Sequence, residues 1–234
     1  MQKVLFLLFF FWGFINTSHC QQTTFHISDQ SISSLFLKIP PNDTMLDTGI
    51  NKEYLIKFRS YQPKDTTGQE TEIYHIDTIL TNYLQFEDSY TTGQAAYSVY
   101  GLKRFVKKDG TYILVFANFG GVHNMYGERE IKVYDVIGNN VIENKQGLLP
   151  SSIDVKEFLT SDTPDTLWEK VMYDIDNSCD FVPELPNTLK FTIDINEPLG
   201  SNPIIDDKYV KTYTIEYNWN GTNFSKKIMP KAKE

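Results

Sequence analysis

One segment resembles a reactive-site loop, "NFGGVHNMYGERE" at residues 118–130. It places three glycines, His123 and an acidic pair directly after the apolar run "TYILVFANF". A phosphate-binding loop needs regularly spaced glycines followed by the start of a helix. The residues that follow, "EREIKVYDV", are typical of a strand instead, and this segment has no Lys-Ser/Thr pair. We therefore predict a polar connection between two strands, in which glycine supplies positive φ.

Histidine and carboxylate pairs give little further indication of catalysis. Beyond residue 20 the histidines are His26, His75 and His123, which are widely separated and belong to no zinc or protease motif. Asp206 and Asp207 are adjacent, but neighbouring side chains of an extended segment diverge and so do not form a glycosidase pair. We predict no catalytic residue and no cofactor.

The segment "DIDNSCD", residues 174–180, is a weak metal candidate. Asp174, Asp176 and Asp180 offer the hard oxygen ligands that Ca²⁺ prefers. A helix-loop-helix calcium loop counted from Asp174 requires glycine sixth and glutamate twelfth, and the chain has Cys179 and Leu185 there. An irregular calcium site and a solvated helix-to-strand connection both remain as interpretations. The flanking carboxylates oppose a reactive thiolate at Cys179.

Tyrosine is abundant, with 14 residues in an acidic chain. Its ring offers a wide apolar contact area with a polar tip, so it is common where proteins bind partners. The tyrosines near predicted turns, together with the loop histidine, form the predicted binding surface: Tyr90, Tyr97, Tyr100, His123 and Tyr126. The alternative is that the tyrosines form the core of the sheet.

The elements that would position these residues are mostly strands. From Tyr83 onward, β-branched and aromatic residues dominate "YLQFE", "YSVYGLKRF", "TYILVFANF" and "EIKVYDVI". Asp109-Gly110 predicts a type I′ hairpin turn, in which both residues have positive φ, and the Gly-Asn-Asn run at 138–140 predicts a second hairpin.

Two C-terminal segments alternate strictly between apolar and polar residues, which predicts strands with one face buried and one in water. The first is "LKFTIDIN". The second, "YVKTYTIEYNW", places Thr212 on the water face and these residues on the buried face: Tyr209, Tyr213, Ile215, Tyr217 and Trp219. Asn220-Gly221 predicts a turn into the segment "TNFSKKI".

Helices are predicted at a few places. In "SISSLFLKIPP" the apolar residues Ile32, Leu35, Phe36 and Ile39 share one helical face. "NKEYLIKF" predicts another short helix, and a polar loop is expected at about 60–72. Further along, Ser151 stands three residues before Asp154, the spacing of a capping box, and "TPDTLWEKVMYDI" has Thr163 as a cap. The predicted fold is α+β, a predominantly antiparallel β-sheet of hairpins with short helices near the N-terminus and around residues 152–175.

The first residues have the three-part form of a secretory signal peptide. Lys3 precedes an apolar run from Val4 to Ile15, which is shorter than the roughly 20 residues that a membrane-spanning helix needs. Small residues near position 20 fit cleavage after Cys20, while cleavage before Cys20 with acylation of its thiol is the lipoprotein alternative. We predict a signal peptide at 1–20 and a single β-rich domain at 21–234.

Charge and cysteine content narrow the class of protein. Without residues 1–20 the chain has 21 Lys+Arg (22 minus Lys3) against 30 Asp+Glu, a net charge of 21 − 30 = −9. This balance disfavours nucleic acid and anionic membranes as partners, since both select basic patches. Cys179 would be the one cysteine left, which excludes an intramolecular disulfide and fits a bacterial envelope protein better than a eukaryotic secreted domain.

The order of these segments resembles a loose group of uncharacterised exported proteins of Gram-negative bacteria. The matching segments are "SSLFLKIP", "NYLQFEDSY" leading to "KKDGTYILVF", "LLPSSIDVKEFL" and "YTIEYNWNGTNF", which together cover most of residues 30–225. Some members carry cysteines near the position of "FGGVHNMYG", and this chain does not. The resemblance implies export and a β-rich domain, and no activity.

These observations together predict an exported, soluble envelope protein without a transmembrane span. It would be periplasmic, outer-membrane-associated or extracellular, and would act as a non-enzymatic binding or accessory module for a protein or glycan partner. One alternative is a secreted hydrolase in which carboxylates and His123 meet only in the folded chain. The other is a structural or assembly component, tethered to the membrane if Cys20 is lipidated.

Overall fold

Seven consecutive strands form an antiparallel sheet in which each strand pairs with the next one along the chain. The computed structural model describes residues 30–40, 50–63, 72–90, 97–120, 130–167, 176–180, 185–195 and 205–231. In this part of the chain the first sheet contains β1 (Ser60–Tyr61), β2 (Glu72–Ile79), β3 (Tyr83–Tyr90), β4 (Tyr97–Val106), β5 (Tyr112–Gly120), β6 (Ile131–Ile137) and β7 (Asn140–Glu143).

A second antiparallel sheet has four strands in the order β11-β10-β9-β8. They are β8 (Asp176–Asp180), β9 (Thr188–Asp194), β10 (Thr214–Trp219) and β11 (Phe224–Ile228). Every strand pairing in the two sheets is antiparallel, so the predicted sheet class is confirmed.

Two short helices lie on one side of the seven-stranded sheet: α1 (Ile32–Lys38) and α2 (Lys52–Phe58). Each begins at a capping side chain, since Ser31 Oγ accepts from the Ser34 amide (3.1 Å) and Asn51 Oδ1 from the Tyr54 amide (2.9 Å). The predicted apolar face of α1 is buried as expected. No helix in the described ranges is long and apolar enough to cross a membrane.

The seven-stranded sheet is buried on both faces, which gives the fold three layers. On one face, α1 and α2 cover a cluster that includes Tyr74, Phe86, Leu114, Phe116 and Tyr134. On the other face, β4, β5 and β6 pack against the four-stranded sheet. That second cluster contains Phe105, Val115 and Val133 from the first sheet and, from the second, Leu189, Phe191, Ile193, Ile215, Tyr217 and Trp219.

The predicted polar loop at about 60–72 is slightly too long at each end. Ser60 and Tyr61 pair with His75 and Tyr74, and the strand β2 begins at Glu72. Residues 64–71 lie outside the described part of the chain. No sequence pattern predicted β2.

The predicted capping box at Ser151 is also wrong. Asp154 caps a 3₁₀-helix at Val155–Phe158 by accepting a hydrogen bond from the Lys156 amide (2.8 Å). The Ser151 carbonyl instead accepts from the Ile131 amide (2.6 Å), which ties this segment to β6. One helical turn follows at 165–167, and the rest of the second predicted helix lies outside the described residues.

The Asp109-Gly110 turn is not type I′, because Gly110 has positive φ (81°) and Asp109 does not. Its bonds, from the Gly110 amide to the Lys107 carbonyl and from the Lys107 amide to the Thr111 carbonyl, fit a three-residue loop ending in a left-handed glycine. At 138–139, only Gly138 has positive φ (58°), as expected for a type II′ turn.

The strand predicted from Tyr209 begins at Thr214, because a 3₁₀-helix occupies Asp207–Tyr209. Thr212, expected to face water, is fully buried, and its hydroxyl lies 2.7 Å from the Met229 carbonyl. From Thr214 onward the predicted alternation is confirmed, with Ile215, Tyr217 and Trp219 buried.

Candidate functional site

One member of the predicted binding surface, Tyr100, is buried. Tyr100 is 7% exposed, stacks on Phe86 (centroids 4.7 Å apart) and donates its hydroxyl to Asp88 Oδ2 at 2.9 Å. The prediction that its ring is exposed is wrong, because its position on β4 faces the layer that the helices cover. For Tyr90 and Tyr97 the structure describes the backbone alone, in β3 and β4, while His123 and Tyr126 lie outside the described residues.

The predicted metal ligands and bases are only partly described. Asp176, Cys179 and Asp180 belong to β8, for which the structure describes the backbone, and Asp174 lies outside the described ranges. His75 is exposed on β2, opposite Glu87 on β3. In the described portions, no group of three or more His, Cys, Asp or Glu residues is placed to hold a metal ion.

Asp206 and Asp207 have separate structural roles. Asp206 caps the second 3₁₀-helix by accepting from the Lys208 amide (3.0 Å), and this bond lowers the pKa of Asp206. Asp207 accepts hydrogen bonds from the Lys231 ammonium and the Tyr213 hydroxyl, which lower the pKa of Asp207. The general acid of a glycosidase needs a raised pKa, so the two lowered values do not fit that role.

An exposed group of aromatic rings lies on α2 and β1, and we call Tyr54, Phe58 and Tyr61 the aromatic surface. Tyr54 and Phe58 are 47% and 53% exposed, and their ring centroids lie 4.3 Å apart. Tyr61 lies 5.8 Å from Tyr54 and stacks on the buried ring of Tyr74 (6.4 Å). The rings therefore form a continuous row from solvent into the core.

Local sequence explains this surface. Leu55 and Ile56 are buried and fix the core side of α2, so Tyr54 and Phe58, four residues apart, share an outer face. Arg59 then ends the helix in the left-handed conformation (φ 61°), which turns the chain into β1. The i, i+4 aromatic spacing in "NKEYLIKF" was a signal for this surface that the sequence analysis missed.

A second candidate site is a cleft where the tips of three hairpins meet, and we call it the inter-hairpin cleft. Its volume is about 480 Å³. The lining residues come from both sheets and the segment after β7: Lys107, Lys108, Asp109, Asp135, Ile137, Asn144, Gln146, Leu148, Trp219, Gly221, Thr222 and Asn223.

Two contacts hold the hairpin tips together. The Trp219 indole N–H donates to the Val106 carbonyl (2.6 Å), and the Lys108 amide donates to the Gly221 carbonyl (3.1 Å). A Cβ on Gly221 would lie 2.8 Å from Lys108 Cγ, so the close approach of these two tips requires glycine. The cleft is therefore shaped by the packing of one sheet on the other.

No protein-family model and no curated protein matches the chain. Among solved structures, the fold is similar to that of a domain of an uncharacterized protein from Porphyromonas gingivalis W83, with a TM-score of 0.49 and 11% sequence identity. The match covers 85% of this chain and 98% of that chain. This distant neighbour comes from a Gram-negative bacterium, and no activity follows from the similarity.

Proposed function

We propose that this chain is an exported envelope protein that binds a protein partner through the aromatic surface and catalyses no reaction. The observation that carries the proposal is the side-by-side exposure of Tyr54 and Phe58, each about half accessible on a capped helix. Large apolar rings held in solvent by a fixed element are typical of interaction sites.

The chemistry of this surface favours a protein over a glycan. Phe58 offers no hydrogen bond, whereas tyrosine, phenylalanine and arginine are enriched at protein interfaces. The rings already pack on one another, so binding costs little side-chain entropy. Lys57, whose ammonium lies 5.1 Å from the Phe58 centroid, and the exposed Arg59 make the Phe58 end of the surface basic, while the exposed Glu53 stands beside Tyr54. We expect the partner to present an apolar centre with a carboxylate opposite the Phe58 end.

Affinity capture from envelope extract of the native host tests this proposal. We would compare the wild-type chain with Tyr54→Ser/Phe58→Ser and with a matched control, Val106→Ser/Ile228→Ser, which removes two exposed apolar side chains elsewhere (54% and 41% exposed). Aromatic interface anchors contribute about 2 kcal/mol or more, so the first variant should bind its partner roughly 30-fold or more weakly. The control should bind like the wild type.

Two results would count against this function. The same proteins captured equally by all three chains would show that the aromatic surface is not the binding site. Recovery of a glycan that depends on Tyr54 and Phe58, with no protein, would replace the protein partner by a carbohydrate one.

The proposed export depends on residues 1–20 and has its own test. Intact mass of the chain purified from the native host should show loss of these residues, with pyroglutamate at Gln21 for cleavage after Cys20. A diacylglyceryl adduct on Cys20 would instead identify a lipoprotein tethered at its N-terminus. A full-length chain that retains Met1 and is found outside the envelope fraction would contradict export.

A further inference from the structure

A charged pair of fixed geometry, Lys107 and Asp135, lines the inter-hairpin cleft. Asp135 lies on β6 and accepts from the Lys107 ammonium through Oδ1 and from the Asn144 side-chain amide (Nδ2) through Oδ2, at 2.5 Å and 2.7 Å. The side chains of Lys107 and Asp135 are 28% and 21% exposed. Both carboxylate oxygens are thus oriented at the border of the cleft.

These groups retain hydrogen-bonding capacity for a ligand. An ammonium has three donors, an amide nitrogen has two, and each carboxylate oxygen can accept more than one bond. The contacts within this trio use one donor of Lys107 and one of Asn144. The Gln146 backbone N–H donates to Asn144 Oδ1 (2.9 Å), which fixes the orientation of the Asn144 side chain. Donors and acceptors of the trio are therefore held in fixed positions at the cleft.

The charge of the lining is balanced. Lys107 and Lys108 face Asp109 and Asp135, two cations against two anions. Asp109 is further satisfied by the Thr111 hydroxyl (2.6 Å) and amide (2.9 Å). A lining with no excess charge gives no net Coulombic attraction for an ion of either sign, which fits a ligand that is polar and uncharged.

Apolar groups lie beside the polar ones. Ile137 is 60% exposed at the end of β6, and Leu148 and Trp219 line the same cleft. A pyranose ring presents hydroxyl groups at its edges and C–H groups on its faces. The fixed polar groups of the cleft can bond to the hydroxyl groups, and its apolar side chains can contact the C–H groups. The volume of about 480 Å³ lies within the usual range for small-molecule sites.

We propose that the inter-hairpin cleft binds a short neutral oligosaccharide. The hydroxyl groups of one sugar would bond to the trio of Lys107, Asp135 and Asn144, with a C–H face on Ile137 and Leu148. This site is separate from the aromatic surface, and the inference does not rest on the protein partner proposed there.

The test is binding of the folded, signal-cleaved chain to an array of neutral oligosaccharides. The second step is saturation-transfer NMR at millimolar ligand concentration with maltose, cellobiose, lactose and N,N′-diacetylchitobiose. Digalacturonic acid serves as the anionic comparator, and Gly-Ser-Gly as the peptide comparator. We expect at least one neutral oligosaccharide to bind, and both comparators to bind more weakly.

Three variants assign the binding to the cleft. Asp135→Asn keeps the shape and removes the charge that orients Lys107 and Asn144, while Gln146→Ala removes an exposed polar side chain that is not needed for the fold. The control is Asp206→Asn, on a distant 3₁₀-helix. Since a hydrogen bond to a charged group is worth about 1.5–3 kcal/mol, Asp135→Asn should weaken binding about tenfold or more. Gln146→Ala should weaken it less, and the control should not.

The proposal would be overturned by a folded wild-type chain that binds nothing in the neutral set. It would equally be overturned by preferential binding of digalacturonic acid or of the peptide. If Asp135→Asn fails to fold, an unchanged affinity of Gln146→Ala together with unshifted amide resonances at Lys108, Asn144 and Asn223 on addition of sugar would exclude this cleft.

Discussion

The aromatic surface and the inter-hairpin cleft are built in different ways. The aromatic surface comes from residues 51–61, one capped helix and the short strand after it. The cleft takes its lining from 107–109, 135–148 and 219–223, which belong to both sheets and the segment after β7. The first is therefore a local product of the sequence, and the second exists only when the two sheets are packed together.

This difference gives the two sites different sensitivity to the core. The joint between the sheets near the cleft is aromatic: Phe105 on β4 contacts Trp219 (6.4 Å) and Phe224 (5.1 Å) edge-on, and Trp219 contacts Phe224 (4.8 Å). The aromatic surface lies on the opposite side of the seven-stranded sheet, over the cluster that α1 and α2 cover. Substitutions at the joint should therefore weaken binding at the cleft and leave binding at the aromatic surface unchanged.

The largest effect is expected from Trp219→Ala. The side chain is 5% exposed, fills the joint and donates to the Val106 carbonyl. Removing a buried tryptophan typically costs about 3–5 kcal/mol of unfolding free energy. Urea unfolding would measure the loss. At urea concentrations below its unfolding transition, the Trp219→Ala variant should have lost sugar binding at the cleft. It should still bind its partner at the aromatic surface.

Trp219→Phe is the matched control, because it keeps a ring at the joint and removes the donor. It should lose less than half as much stability as Trp219→Ala. Equal losses would show that the hydrogen bond, and not the packing, joins the sheets. Loss of partner binding in the folded Ala variant would show that the two sites are not independent.

A smaller loss is expected from Lys103→Met. Lys103 is fully buried between the sheets, and its ammonium donates to the Leu185 and Thr188 carbonyls, both at 2.8 Å. Methionine fills similar volume but donates nothing, so buried acceptors lose their partner at a cost of about 1–3 kcal/mol. Urea unfolding is again the measurement. The exposed Lys145→Met should stay within about 0.5 kcal/mol of the wild type, and an equally small effect at Lys103 would contradict its role as a tie between the sheets.

Next in size is Gly221→Ala, which tests the contact between the hairpin tips. Gly221 has φ 92° and its added Cβ would meet Lys108 Cγ at 2.8 Å, while Gly110 has φ 81° and open space around it. Gly110→Ala therefore reports the backbone strain alone, about 1 kcal/mol, and Gly221→Ala adds the clash. Chemical denaturation of Gly110→Ala, of Gly221→Ala and of Gly221→Ala in a Lys108→Ala background separates the cost of backbone strain from the cost of the clash.

The Lys108→Ala background should bring the cost of Gly221→Ala close to that of Gly110→Ala. If the two glycine variants already cost the same in the wild-type background, the tips are not in close contact. The cleft would then be wider than the structure shows, and its fit to a sugar would need revision.

The fold was predictable where residues alternate without interruption. In β9 and β10 the apolar residues occupy every second position and are buried, so the pattern alone placed both strands. In β2 the pairing register shifts between Ile76 and Thr78, so Ile79 lies on the same face as Tyr74 and Ile76 although its odd spacing in sequence would place it on the other face. A bulge breaks the two-residue period, and so this strand escaped prediction. Thr212 escaped because its partner, the Met229 carbonyl, is distant in sequence.

The candidate sites were likewise predictable only where their residues are close in sequence. Tyr54 and Phe58 are four residues apart, so helical geometry alone could have paired them. The place of Tyr100 near a turn predicts an exposed ring, but both faces of its sheet are covered by other layers. The Lys107, Asp135 and Asn144 trio joins three separate segments, and only the register of β4 to β7 brings them together. No local pattern carries that information.

The smallest effect concerns Asp109 at the edge of the cleft, where hydrogen bonds from the Thr111 hydroxyl and amide hold the pKa of its carboxyl below the usual 3.8. A lowered pKa in the folded state stabilises the fold above the usual value, and this contribution is lost as pH falls through the folded-state pKa. Carbon-13 NMR titration of Thr111→Val should show the pKa of Asp109 rising toward 3.8, because the largest cause is removed. Thr111→Ser, which keeps a hydroxyl, should leave it low.

Asp109 also tests how firmly the edge of the inter-hairpin cleft is held in comparison with the aromatic surface. Because its pKa is lowered, Asp109 is ionised throughout the range from neutral pH down to its usual value, so it adds no pH dependence to sugar binding there. An unchanged pKa in Thr111→Val would mean that the hairpin tip is not ordered by this bond. The cleft would then have a mobile edge, and its hydrogen-bonding groups would be less fixed than the rings of the aromatic surface.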